Sequence, residues 1–471
     1  MLLAWVVLPL LLLAICAGLG LLVDAIGGRR LPGALIAPVG FAAAILLAQL
    51  ATLAGAGVPL TAALVILLAG VGPASSLPWR FGRPDPWAVG AALAVFALFA
   101  APVVLSGEPT FAAYGKADDI AGWLASADGD PNGLALPFAV AQQFLGGEAA
   151  WHFQPYVALL GALLSLCVWQ IAASDIDHTR VGSKSAAPLD PRSRGLVAFL
   201  AAVPALIFGY AGLASPLVLG ARVWLALAIL AALTAVTVAL SLWVARSQSP
   251  AALSAFAAAL LGCAVLASAN VGLAPYGSLS ELRQVNERFA GEGPALIVEP
   301  DPLATRYFLR DLAPGGAVDP EEAGVPPSAA ARGEPAEADQ IDYRAMLEYS
   351  LLIVPRSPEQ SRPPLPYRRV WLGEDYEVWR LPATATFRLL FHYPVGGPGA
   401  ATGLPNCSET VGLGLLGLAN QLGAPPEDIS LVAAAPRRGA RLGPTIAVPV
   451  DRASDLCGRH WDWIEAISPA G

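Results

Sequence analysis

The sequence predicts a polytopic α-helical membrane domain of about eight spans, followed by a small soluble α/β domain, with the boundary at 273/274. Three observations carry this reading. Hydrophobic residues make up 56% of the 471 residues and charged residues only 14%, where soluble domains carry about 25%. Charge is also divided unevenly. Residues 1–273 hold 11 basic and 11 acidic residues, while 274–471 hold 17 and 25, so the second part carries the whole net charge of −8. Lastly, every apolar run near the roughly 20 residues needed to cross a bilayer falls before 274.

The runs are 2–23, 33–54, 58–74, 87–106, 150–172, 195–213, 219–244 and 251–273. The third is short, and the sixth carries Pro204 and Gly209. Leu134–Leu145 is too short to cross and contains Pro137, Gln142 and Gln143. It fits an interfacial or half-buried helix within an outer loop, 107–149. Arg29, Arg30, Arg80, Arg83, Arg180, Lys184, Arg192, Arg194 and Arg246 all follow odd-numbered spans; the alternate loops hold only Lys116 and Arg222. By the positive-inside rule the odd exits are cytoplasmic, which puts the N-terminus and residues 274–471 outside. No basic stretch precedes the first apolar run, so it reads as a span and not as a cleaved signal.

The soluble part reads in order as a helix over Leu279–Phe289, a strand at Ala295–Val298 and a helix over Asp301–Leu312 opened by Asp-Pro. Residues 313–338, rich in Pro, Gly, Ala and Glu, read as a flexible loop. A helix over Asp342–Glu348 and a strand at Ser350–Val354 follow. A hairpin then spans Arg369–Arg380 about a Gly-Glu-Asp turn. A helix near Glu409–Leu422 and strands near 429–434 and 445–449 complete the domain. Such alternation predicts a small α/β fold. No GxGxxG, P-loop, GxSxG or HExxH motif occurs in it. Its acidity argues against nucleic acid or anionic lipid as its partner.

Cys16, Cys167 and Cys263 lie in apolar runs, and Cys407 and Cys457 are the only two in the soluble part. An outer compartment permits a bridge between those two; two separate thiols are the alternative. No CxxC or Cys/His cluster is present, so no zinc site is indicated. No cofactor is indicated either, and the sequence does not support a divalent metal.

The stretch Tyr114–Asp128 sets Asp118 and Asp119 in a short loop beside lipid-soluble sequence, where charge is costly and marks a site or a boundary. Lys116 is two residues away, Arg222 falls near the outer end of span seven, and His152 and Gln154 fall at the outer start of span five. Each has an ordinary alternative. The acids can be solvated and cap a short helix Ile120–Ala125, with Lys116 as a neutralising neighbour. Arg222 can snorkel, and His152, beside Trp151 and Tyr156, can belong to an aromatic belt.

The run Thr110-Phe-Ala-Ala-Tyr-Gly-Lys-Ala-Asp-Asp-Ile-Ala-Gly-Trp-Leu-Ala resembles the first outer loop of the GT-C superfamily of integral-membrane glycosyltransferases. Trp151-His-Phe-Gln-Pro-Tyr-Val-Ala, Arg306-Tyr-Phe-Leu-Arg-Asp-Leu and Tyr376-Glu-Val-Trp-Arg-Leu-Pro are similar to segments of glycosyltransferase-like actinobacterial membrane proteins. The resemblance implies a multi-pass protein of a bacterial plasma membrane. It would move a sugar from a polyprenyl-phosphate donor to a cell-envelope acceptor on the outer face. Asp118 or Asp119 would be the catalytic base, with Lys116, Arg222, His152 and Gln154 available to the lipid phosphate and substrate. GT-C enzymes have more spans and a longer first outer loop than this chain. The competing expectation is a non-catalytic, membrane-anchored envelope assembly or binding protein.

Overall fold

A computed structural model describes residues 2–28, 31–75, 85–106, 111–112, 117–129, 131, 133, 135–174, 191–210, 258, 273–274, 276–298, 304–320, 323, 338, 341–357, 360–384, 386–395, 403–406, 408, 425–437 and 441–469. The chain divides into two compact units, Met1–Tyr276 and Gly277–Gly471.

In the first unit a π-helical turn, Leu3–Val7, runs into α1 (Leu8–Ile26). Then come α2 (Ile36–Leu53), α3 (Val58–Ser75), α4 (Pro86–Ser106), β1 (Phe111–Ala112), α5 (Ala117–Asp128), α6 (Ala135–Leu145), α7 (Ala150–Ser174), α8 (Pro191–Tyr210) and β2 (Leu273–Ala274). Among the described residues, Leu3–Ile26, Gly33–Leu53 and Ala150–Ala173 are long and apolar enough to cross a membrane, and Val58–Ala74, Pro86–Ala101 and Ala135–Leu145 are shorter apolar helices. The runs predicted at 219–244 and 251–273 lie outside the described residues, apart from one residue at 258 and the first of β2.

Side-chain placement in these helices is the reverse of a water-soluble bundle. On α2, Ala44, Ala48 and Ala51 are buried, whereas Leu46, Leu50 and Leu53 are 60%, 55% and 76% exposed. On α3, Ala62 and Ala69 are buried while Leu60 and Leu67 face outward. Small residues between helices with leucines on the outside suit a solvent as apolar as leucine itself, because association then rests on close backbone approach. Gly40 shows how close: a Cβ there would overlap the Cys16 carbonyl of α1. This is the packing of a membrane-embedded unit. At the starts of α4 and α8, the Arg192 guanidinium lies 5.5 Å from the Trp87 ring centroid, so both helices begin at the same end of the bundle.

Within the predicted outer loop 107–149, the half-buried helix expected at Leu134–Leu145 is present as Ala135–Leu145. The loop contains α5 and α6, and the first seven residues of α6 are buried. Gly133, between these helices, donates its N–H to Gln49 Oε1 at 3.2 Å, which ties the pair to the C-terminal end of α2. β1 pairs antiparallel with β2, with Phe111 opposite Ala274 and Ala112 opposite Leu273.

The second unit opens with α9 (Tyr276–Arg288), whose first residue falls on the boundary, and then β3 (Ala295–Ile297) and β4 (Ala317–Val318). α10 (Tyr343–Met346), β5 (Leu351–Pro355), β6 (Arg368–Leu372), β7 (Tyr376–Arg380) and β8 (Phe387–Pro394) follow. β9 (Ser430–Ala434), β10 (Thr445–Pro449) and β11 (Trp463–Pro469) end the chain's described structure. The strands form two sheets, a mixed one ordered β4-β3-β5-β7-β6 and an antiparallel one ordered β10-β9-β11-β8.

Three expectations change here. The helix expected over Asp301–Leu312 is only a π turn, Ala304–Phe308, among the described residues. The loop expected over 313–338 contributes β4 to the mixed sheet. Strands β8 and β11 add half of a second sheet that the sequence reading lacks. The helix expected near Glu409–Leu422, and Cys407, lie outside the described residues.

Polar side chains bind the second unit together. Glu281 of α9 accepts the backbone N–H groups of Glu374, Asp375 and Tyr376 at 3.0, 2.9 and 2.8 Å, holding the β6–β7 turn. The Arg362 guanidinium lies over both Trp379 of the mixed sheet and Trp463 of the antiparallel sheet, 5.6 and 6.0 Å from their centroids. Burial pushes the Arg362 pKa below its ordinary value. Buried Glu377 pairs with Arg437 at 2.7 Å and Arg369 at 3.4 Å, and Trp379 Nε1 donates to it at 3.1 Å. Cys457 is disulfide-bonded.

Candidate functional site

Asp118 and Asp119 are the second and third residues of α5, so they lie in the first turn of a twelve-residue helix and not in a loop before one. The expected short helix Ile120–Ala125 is extended at both ends. Carboxylates in a first turn face the positive end of the helix dipole, an interaction of about 0.3–1 kcal/mol each.

An apolar face anchors α5. Ala121, Trp123, Leu124 and Ala127 are all buried, an apolar stripe at helical spacing. Trp123 is 4% exposed. Its ring centroid lies 5.1 Å from Phe138 of α6, 5.1 Å from Phe153 of α7 and 6.1 Å from Tyr156, which it stacks against. Phe138 and Tyr156 are themselves 5.2 Å apart. This four-ring cluster fixes the acid-bearing helix against the start of α7. Trp123 lies within the motif and Tyr156 beside His152 in the sequence, but apolar character alone marks neither as the anchor of this helix.

His152 and Gln154 occupy the first two turns of α7 and are 5% and 2% exposed. The Gln154 amide donates to the Phe99 carbonyl of α4 at 3.3 Å, a bond inside the helix packing. His152 Nδ1 has no hydrogen-bond partner among the described residues. The structure thus brings α5, His152 and Gln154 to one end of the bundle. Lys116, Arg222 and the side chains of Asp118 and Asp119 lie outside what is described.

A crevice of about 570 Å³ opens between α1, α2, α4 and α7. Trp5, Leu10, Phe96 and Leu163 are among its walls, and no charged side chain lines it. It begins on α7 at Leu159, seven residues and about 10 Å along the helix from His152. Among the described residues no group of three or more His, Cys, Asp or Glu side chains is placed to hold a metal ion.

No protein-family model, curated protein or solved structure matches this chain.

Proposed function

We propose that the chain is a multi-pass plasma-membrane protein of the GT-C type that transfers a sugar from a polyprenyl phosphate to a cell-envelope acceptor on the outer face. The observation that carries this is the anchored position of α5. Its acidic first turn is held at one end of an apolar bundle, with a charge-free crevice further along the same α7. In the reaction, a carboxylate of Asp118 or Asp119 takes the proton of the acceptor hydroxyl as that oxygen attacks the anomeric carbon. The bond from the anomeric carbon to the phosphate oxygen breaks, and the polyprenyl phosphate departs with the electron pair. The crevice has the apolar lining that a polyprenyl chain requires. Lys116 and Arg222 are the cations proposed for the leaving phosphate.

The β1–β2 ladder supports the topology that this reading needs. It ties the segment after α4 to the segment leading into the second unit, so an even number of crossings separates them. With α7 and α8 as two of these, the two further spans proposed at 219–244 and 251–273 keep the count even, for eight in all. The Cys457 disulfide supports an oxidising compartment for the second unit.

A second reading, a non-catalytic envelope assembly protein, draws on Gln154. Its amide is committed to helix packing, and first-turn acids stabilise a helix without any reaction. Asn at both Asp118 and Asp119, assayed with a polyprenyl-phosphate sugar in membranes, separates the two. The transferase reading expects turnover to fall at least 100-fold, the scale of a lost general base. Unchanged turnover in the double variant removes α5 from the mechanism.

A further inference from the structure

The second unit holds a cleft of about 600 Å³ between α10, the exit of β7 and the start of β8, a volume in the range of ligand sites. Three features of it point one way. One wall is the first half of β8, Phe387 to Leu390. β8 lies at the end of its sheet, bonded to β11 on one side, and no strand pairs with its other side among the described residues. Edge strands of this kind present backbone donors and acceptors to an incoming chain.

The second feature is charge. The cleft is lined by Arg344 and Arg388 and by no carboxylate, in a half of the chain with 25 acidic and 17 basic residues. Neither arginine forms an ion pair among the described residues. Arg344 Nε donates to the Tyr343 hydroxyl at 3.2 Å, which steadies it against the wall. The nearby Asp342 carboxylate, which is not among the cleft's lining residues, accepts the Arg344 backbone N–H at 2.9 Å and adds to the Tyr343 contact in keeping the guanidinium charged. The third feature is that Tyr343 donates to the Leu390 carbonyl at 3.3 Å, so the ladder available to a partner ends there.

We propose that this cleft is a docking groove for an extended acidic polypeptide segment of a partner protein, which adds as a strand to the free edge of β8 and sets its carboxylates against Arg388 and Arg344. Strand addition takes affinity from main-chain bonds and specificity from alternate side chains. Four residues of β8 offer about 13 Å of edge, enough for a four-residue core. The acidic remainder of the unit repels such a segment elsewhere, so the groove also selects where it lands. The inference uses the second unit alone and does not depend on the transferase reading.

The test is fluorescence anisotropy of a labelled peptide, Thr-Val-Glu-Val-Glu-Val-Thr, with the full-length chain in nanodiscs of zwitterionic lipid. We expect saturable binding that weakens at least tenfold in Arg388→Glu and again in Arg344→Glu. A probe with Lys in place of Glu should bind the Arg388→Glu chain better than the original chain. N-methylation of alternate probe amides along one edge should abolish binding, while methylation along the other edge leaves it intact. The proposal is overturned if the original chain shows no saturable binding, if Arg388→Glu binds equally well, or if neither methylated probe loses affinity. That last result, together with displacement by oligogalacturonate, assigns the groove to an anionic saccharide instead. Both arginines are exposed, and circular dichroism of each variant confirms that it is folded.

Discussion

Glu465 shows how a single residue hides a strand. It is fully buried in the middle of β11, where alternation rules read a carboxylate as facing water. Its environment explains the exception: Leu365 donates its N–H to both carboxylate oxygens at 3.1 Å, and His392 Nδ1 lies 2.8 Å away. Burial nevertheless pushes its pKa above the ordinary value, opposed by His392 and Arg362. The folded state therefore holds this proton more tightly than the unfolded chain does. Between the ordinary carboxylate value and the raised one, stability falls as pH rises. Glu465→Gln should flatten that decline, measured by urea unfolding followed through tryptophan fluorescence from about pH 4 to 7. A slope unchanged from the parent would mean that another group sets it. At the same scale, Trp123→Ala should cost about 3–5 kcal/mol of local stability and release α5, read as faster limited proteolysis between α4 and α6. Trp123→Phe should retain most of the anchoring. The acidic pair itself was legible as an anomaly in apolar sequence, whereas the ring that positions it looked like one more apolar residue.

Among elements, the apolar helices before 175 were the most legible, three of them long enough to cross a membrane. Backbone groups in hydrocarbon must bond within their own helix, so a long apolar run has few alternatives. The second unit was harder, for reasons that particular strands make plain. On β8 the face carrying Leu390 and His392 is buried, while Phe387, Leu389, Phe391 and Tyr393 on the other face are only half-buried. Hydropathy thus points to the wrong side. The Asp-Pro signal at 301 predicts a helix to Leu312, but the described winding covers only Ala304–Phe308. The β6–β7 hairpin was read correctly because its aromatic alternation and its turn agree. That turn depends on a distant helix through Glu281. Glu281→Ala removes the acceptor of three amides at once. It should cost about 3 kcal/mol, since each bond to a charged group is worth roughly 1.5–3 kcal/mol and water recovers part of the loss. Hydrogen exchange at the Glu374, Asp375 and Tyr376 amides should accelerate while β9 and β10 stay protected.

For the whole molecule, the reading to be tested is sidedness. Gly27 follows α1, Gly129 follows α5, and both are exposed turn positions. In the proposed topology Gly129→Cys reacts with a membrane-impermeant maleimide on intact cells, and Gly27→Cys reacts only after permeabilisation. The reverse pattern would turn the protein over and move α5 to the cytoplasm. This orientation rests on the charge asymmetry of the sequence. The β1–β2 contact was not readable, because two two-residue strands leave no periodic trace.

That small ladder also has a consequence in time. Residue 111 leaves the ribosome long before residue 274 exists, and at about 5–20 residues per second its partner arrives roughly 10–30 s later. Throughout that interval the segment before α5 has no strand to pair with, whatever else has been inserted. The acidic helix is made early, but its tether is among the last joints of the first unit to close during synthesis.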